Sequence, residues 1–513
     1  MSRADRVALI LSIIAVFLSY FVAVGVFEAI PHIEDEIAFT WQARLIADGK
    51  LTIDSPDHAK SFLIPFVVDH NGKRFAKYPL GWPILMGVGV ALGMRTIVNP
   101  LLAGLAVWLT YCLGKKVFSE VVGILAALLM TSSPFFMMNS GSLLSHPLGL
   151  VLSTAFALSW FDAWSRPENP NPSRDKIALV AAAGTLGVLI LTRPLSAVAV
   201  SIPFIIHGFY LGLSGNAAER KRLLTFLGII LVFIGLHFLW QYAVTGDPTV
   251  NPYTLWWEYD RIGFGPDVGR AEGGHSLSQA WTNTKFSIWV GRHDLFGWLA
   301  YSWIFLPFGL IAILMNRNWR GLMIACVLPS IVLMYMTYWI GSWLYGPRYY
   351  YEGLFNLALV SAVGIAWIAG WPVLPGVPCK TYAGWQRARP LLVTGVLTML
   401  ISMNLIFFTP RRLAGLQGLY TISRARLTPF LTAEAQNLTP ALVIVHPERW
   451  MSYGALLELQ SPYLDTPYIF VMSRGTTSDQ ALIADYSDRN VIHYYPEEPY
   501  VFYGKPRSTG GQD

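Results

Sequence analysis

Eleven apolar runs punctuate this chain, each near the length of about 20 residues that a helix needs to cross a bilayer core. They begin near Val7, Thr96, Val121, Leu148, Ile177, Leu195, Leu223, Trp298, Gly321, Tyr351 and Leu391. Soluble domains cannot be built around so many such runs, and the composition agrees. Only 13% of the 513 residues are charged, against about 25% in soluble proteins. The expected class is an all-α polytopic membrane protein; disorder, collagen and small disulfide scaffolds are excluded. The 37 basic and 31 acidic residues give a net +6 without any long basic run, so nucleic acid is not an expected partner.

The first run follows Arg3 and Arg6 but has no small-residue cleavage site after it, so it reads as a span rather than a signal peptide. Basic residues mark alternate connections: Lys115 and Lys116; Arg166, Arg174 and Lys176; Arg220, Lys221 and Arg222; Arg317 and Arg320; Lys380, Arg387 and Arg389. The turns between, around Ser142, Arg193 and Gly346, are nearly uncharged. The positive-inside rule then places the N-terminus in the cytoplasm and the C-terminus outside, in a plasma (inner) membrane. Two outer loops follow, at 31–95 and 245–296, and a tail after 410. Residues 1–409 are thus expected to form the membrane domain and 410–513 a small outer α/β domain. Its expected strands are 441–446, 468–473 and 491–495, with a helix at 478–486. Cys112, Cys326 and Cys379 lie in apolar runs or on the cytoplasmic side, so no disulfide framework is expected.

In the first outer loop, Pro31-His32-Ile33-Glu34-Asp35-Glu36-Ile37 opens a helix. Ile33, Ile37, Trp41 and Leu45 recur every fourth residue, an apolar stripe suited to lipid or protein at the interface, and Gly49 suits its end. Three consecutive carboxylates in the first turn have two explanations. They complement the helix dipole, or they serve as a base in a dry cleft that raises a carboxylate pKa. The loop closes with Phe75-Ala76-Lys77-Tyr78-Pro79-Leu80-Gly81-Trp82-Pro83, an entry turn before a short membrane-skimming helix at 84–92. Lys77 is either a snorkelling lysine or a phosphate ligand facing the acids.

Asp35-Glu36 at the head of that helix, with Lys77-Tyr78-Pro79 closing the loop, resembles the GT-C class of membrane glycosyltransferases. The likeness is to the protein O-mannosyltransferases and the lipid A aminoarabinose transferases, and span order and loop sizes share it. The resemblance implies a GT-C-like fold with outer-face juxtamembrane helices. It also implies inverting transfer of a sugar from a polyprenyl-phosphate donor to a hydroxyl of a lipid, glycan or protein acceptor. Asp35 takes the role of general base, with Glu36 its catalytic neighbour. Glu34 ahead of the pair, and Tyr78 where some relatives carry a proline, depart from the family's form.

Arginines that could meet a donor phosphate are Arg193 in an uncharged outer turn, Arg292 before the eighth run, Arg261 further back, and Arg348 in Tyr345-Gly346-Pro347-Arg348-Tyr349. Charges at membrane depth are functional candidates, whereas interfacial arginines are ordinary. Arg348 stands out because rings and a Gly-Pro turn flank it, and this element also resembles one in related bacterial transferases. Glu34, Tyr78, Tyr345 and Tyr349 are candidate substrate ligands. His146 stands where such relatives often carry an acid before proline; it is a structural histidine or a substrate ligand. With His32 and Glu34 it could hold a divalent metal, although no spacing demands one and no other cofactor is indicated. Trp256 and Trp257 belong to an interfacial belt or stack on sugar faces. Glycines at 263, 265, 269, 273 and 274 suit a mobile loop that orders over substrate. The rival functions are a transporter or flippase of lipid-linked glycans, and a non-catalytic glycan-binding assembly subunit. Transporters carry paired repeats and mid-bilayer polar groups; here the polar residues gather at one surface.

Overall fold

The structure is a computed structural model that describes residues 1–164, 172–377 and 388–507. Arg166, Cys379, Lys380 and Arg387 of the expected cytoplasmic connections lie outside the described residues. Among the described residues, six helices are long and apolar enough to cross a membrane: Arg3–Gly25, Arg95–Val117, Pro194–Ser214, Ala217–Thr245, Arg348–Ala369 and Ala388–Ala414. One more expected run is broken, since Glu120–Thr131 turns by 61° into Pro134–Gly141. The run expected from Trp298 is preceded, across a turn of 113°, by helix Leu277–Asp294, which lies where the outer loop 245–296 was expected. Pro134 lacks the amide that would continue its helix, and Gly297, with φ 66°, sits at the second break. The other three runs form His146–Ala163, Pro172–Ile190 and the consecutive helices Trp319–Ala325 and Val327–Tyr335, which fall short of that length or apolarity. Eleven expected spans therefore resolve into six qualifying helices, or eight with both bent pairs.

The first helix shows how they pack. Ala8, Ser12, Ala15, Ser19 and Val22 recur every three or four residues and are buried, while Ile10, Phe17 and Phe21 are exposed. Small residues turned inward and large apolar ones outward are the pattern of a helix packed on neighbours and bathed in lipid. A Cβ on Gly104 would lie 2.9 Å from the Ser12 carbonyl oxygen, so the second span approaches the first through that glycine.

Two pieces stand apart from the helices. Helix Glu34–Ala47, with Ile33, Ile37, Trp41 and Leu45 all buried in protein, leads into β1 (Ile53–Asp54), β2 (Val67–His70) and β3 (Lys73–Ala76). These pair antiparallel in the order β1-β3-β2, and helix Gly81–Ala91 follows. Near the C-terminus, β4 (Ala441–Val445), β5 (Tyr468–Met472), β6 (Asn490–Tyr494) and β7 (Phe502–Tyr503) form a sheet in the order β5-β4-β6-β7. β4 is parallel to both neighbours, β7 is antiparallel to β6, and helix Thr476–Asp485 joins β5 to β6. Every residue of β4 and β5 is buried, as parallel strands require. Phe62 of the first outer loop packs inside this sheet's core with Leu442, Ile444, Ile469 and Val471. Arg44 donates to the carbonyl oxygens of Gln460 (2.9 Å) and Glu458 (3.1 Å). The C-terminal sheet is thereby clamped onto the helix that carries Asp35.

Candidate active site

Helix Glu34–Ala47 receives no side-chain cap from Ile33, and Glu36 satisfies its first amides instead. Glu36 Oε2 accepts from the backbone amides of His32 (2.7 Å) and Ile33 (3.3 Å), and Oε1 from that of Leu143 (2.8 Å). Burial pushes its carboxyl up to about 7 against the pull of these amides. Leu143 lies in the non-helical stretch before His146–Ala163. The Ser142, Leu143 and Leu144 carbonyls of that stretch accept from Asn99 Nδ2 and Trp82 Nε1. Both oxygens of Glu36 are therefore taken up by main chain. Glu36, expected as the catalytic neighbour of Asp35, thus ties the first outer loop to the helical bundle.

Asp35 has different partners. Tyr78 Oη donates to Oδ1 at 2.6 Å, and Arg348 Nη2 lies 3.4 Å from Oδ2. Burial raises its pKa, but Arg348, the Tyr78 hydrogen bond and Lys77 outweigh it and hold the carboxyl below its ordinary value. It is ionised at neutral pH, with 24% of its side chain exposed. Glu34 beside it is pushed up by burial and by the charge of Asp35. Arg348 keeps Nη1 buried and unpartnered, and Tyr345 Oη is likewise orphaned. Buried donors rarely lack an acceptor, so both are candidates to meet a ligand. Tyr349 stacks on Tyr335 at 5.1 Å, next to Arg348 in the chain.

Lys77 does not snorkel, and its direct partner is not one of the three acids. Its Nζ donates to Asp260 Oδ2 at 3.0 Å inside an aromatic box. The ammonium stands 3.9 Å from the Phe66 ring centroid, 4.8 Å from Tyr253 and 5.1 Å from Trp257. Burial depresses its pKa, opposed chiefly by Asp260 and then by Asp35 and Glu34. Asp260 Oδ1 accepts from Tyr338 Oη (2.9 Å) and Trp339 Nε1 (3.1 Å). Sequence reasoning missed Asp260, an acid beside Tyr259 and Arg261; its signal was the aromatic cluster that buries it. Trp256 and Trp257 pack edge-on to Phe66 at 5.7 and 5.4 Å, with Trp257 walling the lysine box.

Arg193 and His146 meet on Glu352, a second residue the sequence concealed inside an apolar run. Arg193 Nε lies 2.7 Å and His146 Nδ1 3.2 Å from Glu352 Oε1. Arg193 also donates to Ser145 Oγ (3.2 Å) and Tyr335 Oη (3.0 Å). Arg292 is not brought to this cluster: its guanidinium lies 5.4 Å from the Trp289 ring centroid and its Nε donates to His293. The imagined metal trio is not assembled either, since His32 Nδ1 is bonded to the Ile30 carbonyl and His146 to Glu352. Among the described residues, no group of three or more His, Cys, Asp or Glu is arranged to hold a metal. The glycine-rich loop is folded rather than open: a Cβ on Gly274 would lie 1.6 Å from the Gly265 carbonyl oxygen, so these turns close on each other.

No protein-family model and no curated protein matches the sequence. Solved structures do match the fold. ArnT from Cupriavidus metallidurans bound to undecaprenyl phosphate aligns with TM-score 0.58 and 14% identity, over 94% of this chain and 89% of that one. Its apo form gives 0.57 and 11%, over 94% and 88%. The archaeal oligosaccharyltransferase AglB from Archaeoglobus fulgidus, in complex with an inhibitory peptide and a dolichol-phosphate, gives 0.51 and 12%, over 90% of this chain and 64% of that one. At such identities the likeness is one of architecture, and the GT-C-like fold expected from the sequence is the fold of this chain.

Proposed function

We propose that this protein is a glycosyltransferase that moves a sugar from a polyprenyl-phosphate carrier to an acceptor hydroxyl at the extracytoplasmic face. The observation that carries it is an ionised carboxylate, Asp35, beside a guanidinium, Arg348, that retains a buried unpartnered donor. Asp35 takes the acceptor's proton as that oxygen attacks the anomeric carbon from the side opposite the carrier, inverting it. The positive charge that builds on the sugar is oxocarbenium-like, and the negative charge that builds on the leaving phosphate needs fixed cations. Arg348 Nη1 receives that phosphate, and Lys77 adds positive field from within its box. An apolar cavity of about 230 Å³, lined by Phe135, Trp303, Leu306, Val332, Tyr350 and by Pro347, which precedes Arg348 in the chain, suits the isoprenoid tail. ArnT bound to undecaprenyl phosphate shares this architecture, which supports a lipid-phosphate donor here.

The orientation proposed is N-terminus in the cytoplasm and C-terminus outside a plasma membrane, from the basic connections. Residues 410–513 then form an outer domain next to the acceptor's approach, and the acceptor is a lipid, glycan or protein. The test is purified protein in nanodiscs with a panel of radiolabelled polyprenyl-phosphate sugars. Label passing from carrier to a membrane-extract acceptor is expected. Failure of every donor to transfer, with no binding of polyprenyl phosphate, would contradict the proposal.

A further inference from the structure

We infer that Glu352 is a positioning residue of this site, and that through it His146 presents Nε2 as a hydrogen-bond acceptor to a hydroxyl of the substrate at Asp35. This rests on the transfer function proposed above. Glu352 is fully buried on the turn Arg348–Gly353, four residues after the arginine that meets Asp35. Its carboxylate is paired with a guanidinium at 2.7 Å, so it is ionised and can only accept. The hydrogen of the His146–Glu352 bond therefore sits on Nδ1, which fixes the tautomer.

The other ring nitrogen is left over. Among the described residues His146 Nε2 has no hydrogen-bond partner, and the Glu352 that holds the ring stands on the same short turn as Arg348, whose Nη2 lies 3.4 Å from Asp35. The charged groups that act on the ring are Arg193, Arg348, Glu352 and Asp35, and the Tyr351 ring stands edge-on to it at 6.2 Å. Arg193 already neutralises Glu352, and a second guanidinium, Arg348, opposes a further positive charge; the ring is thus a neutral acceptor with its lone pair on Nε2. The packing is built for this contact: a Cβ on Gly149, three residues after His146, would lie 2.8 Å from Glu352 Oε1. Arg193 spends its donors on Glu352, Ser145 and Tyr335, so its part is to keep Glu352 charged rather than to bind phosphate. The site then offers two acceptors, Asp35 and His146.

Two substitutions separate the ends of the imidazole. His146→Asn keeps an N–H near the Nδ1 position for Glu352 and removes the acceptor at Nε2. His146→Gln reaches the Nε2 position with its carboxamide oxygen and lacks the donor to Glu352. In nanodiscs, His146→Asn is expected to bind polyprenyl phosphate and unfold like wild type yet transfer about tenfold more slowly, the loss of one substrate hydrogen bond. His146→Gln should recover part of that rate. A raised KM for acceptor places the hydroxyl on the acceptor; a raised KM for donor places it on the sugar. As a readout free of folding effects, wild-type transfer should fall on the acid side as Nε2 is protonated, and that limb should vanish in His146→Gln. An unchanged limb, or wild-type transfer by His146→Asn alongside a dead Asp35→Asn, overturns this inference and leaves the transferase standing. Normal transfer by Asp35→Asn overturns the transferase itself.

Discussion

Asp260→Asn removes the carboxylate that lies 3.0 Å from the Lys77 ammonium, with both side chains almost wholly buried. At an effective dielectric of about 20 the lost attraction is about 5 kcal/mol, and removing one partner of a buried pair costs about 3–5 kcal/mol in practice. The asparagine still accepts from Lys77, Tyr338 or Trp339, and the rings still face the ammonium, so a loss near 3 kcal/mol is expected. Denaturation in detergent micelles measures it. Adding Lys77→Met removes the orphaned charge and sets a thioether in an aromatic box. The double variant should return to within about 1 kcal/mol of wild type, because an apolar pair often replaces a buried ion pair without loss. The pH dependence has a definite sign. Burial depresses the pKa of Lys77, so the unfolded chain holds that proton more tightly, and stability from this group rises with pH toward the ordinary value of 10.5. Asp260→Asn deepens the depression and widens that window. A single variant no less stable than the double, or one whose stability falls across the window, would refute the buried pair.

Glu36→Ala strands the amides of His32, Ile33 and Leu143 without their acceptor, each at about 1–3 kcal/mol. A stability loss of about 2–5 kcal/mol in the same denaturation assay is expected, and a loss under about 1 kcal/mol would remove its role as a strut. Tyr78→Phe deletes the 2.6 Å hydrogen bond to Asp35, so the carboxyl's pKa should move up toward 3.8 and transfer should slow about tenfold, read from kcat. Because the Asp35 pKa is lowered in the fold, its contribution to stability is present above the unfolded value of 3.8 and lost as pH falls through the folded one. Stability monitored from pH 7 down to 3 should show no loss from this group until below 4; one that Asp35→Asn abolishes near pH 6 would contradict the geometry.

The first outer loop was the most legible part of the sequence. A four-residue stripe, Ile33 to Leu45, announced a one-sided helix, and the acids at its head were visible as a cluster. What linear order hid was which acid does what: Asp35 and Glu36 are adjacent, but 100° of helical rotation sends one to Tyr78 and Arg348 and the other to backbone amides. Long-range partners were hidden for a similar reason. Asp260 and Glu352 sit 183 and 206 residues from Lys77 and His146, and no local pattern marks such pairs. A window of composition does not register a break, as at Pro134, where one apolar run bends by 61°. The strands of the C-terminal sheet were legible from their apolar runs, whereas the burial of Phe62 in that sheet depends on a contact no run of residues encodes.

The most direct test is a single turnover on Asp35→Asn. Protein loaded with a fluorescent polyprenyl-phosphate sugar in nanodiscs is mixed with acceptor, and product is followed alongside carrier binding. The carboxamide keeps the shape and still accepts from Tyr78 but cannot take up the hydroxyl proton. Carrier bound as in wild type with product formation slowed by three orders of magnitude or more, about 4 kcal/mol at the transition state, is the predicted result. Product appearing at the wild-type rate would contradict it.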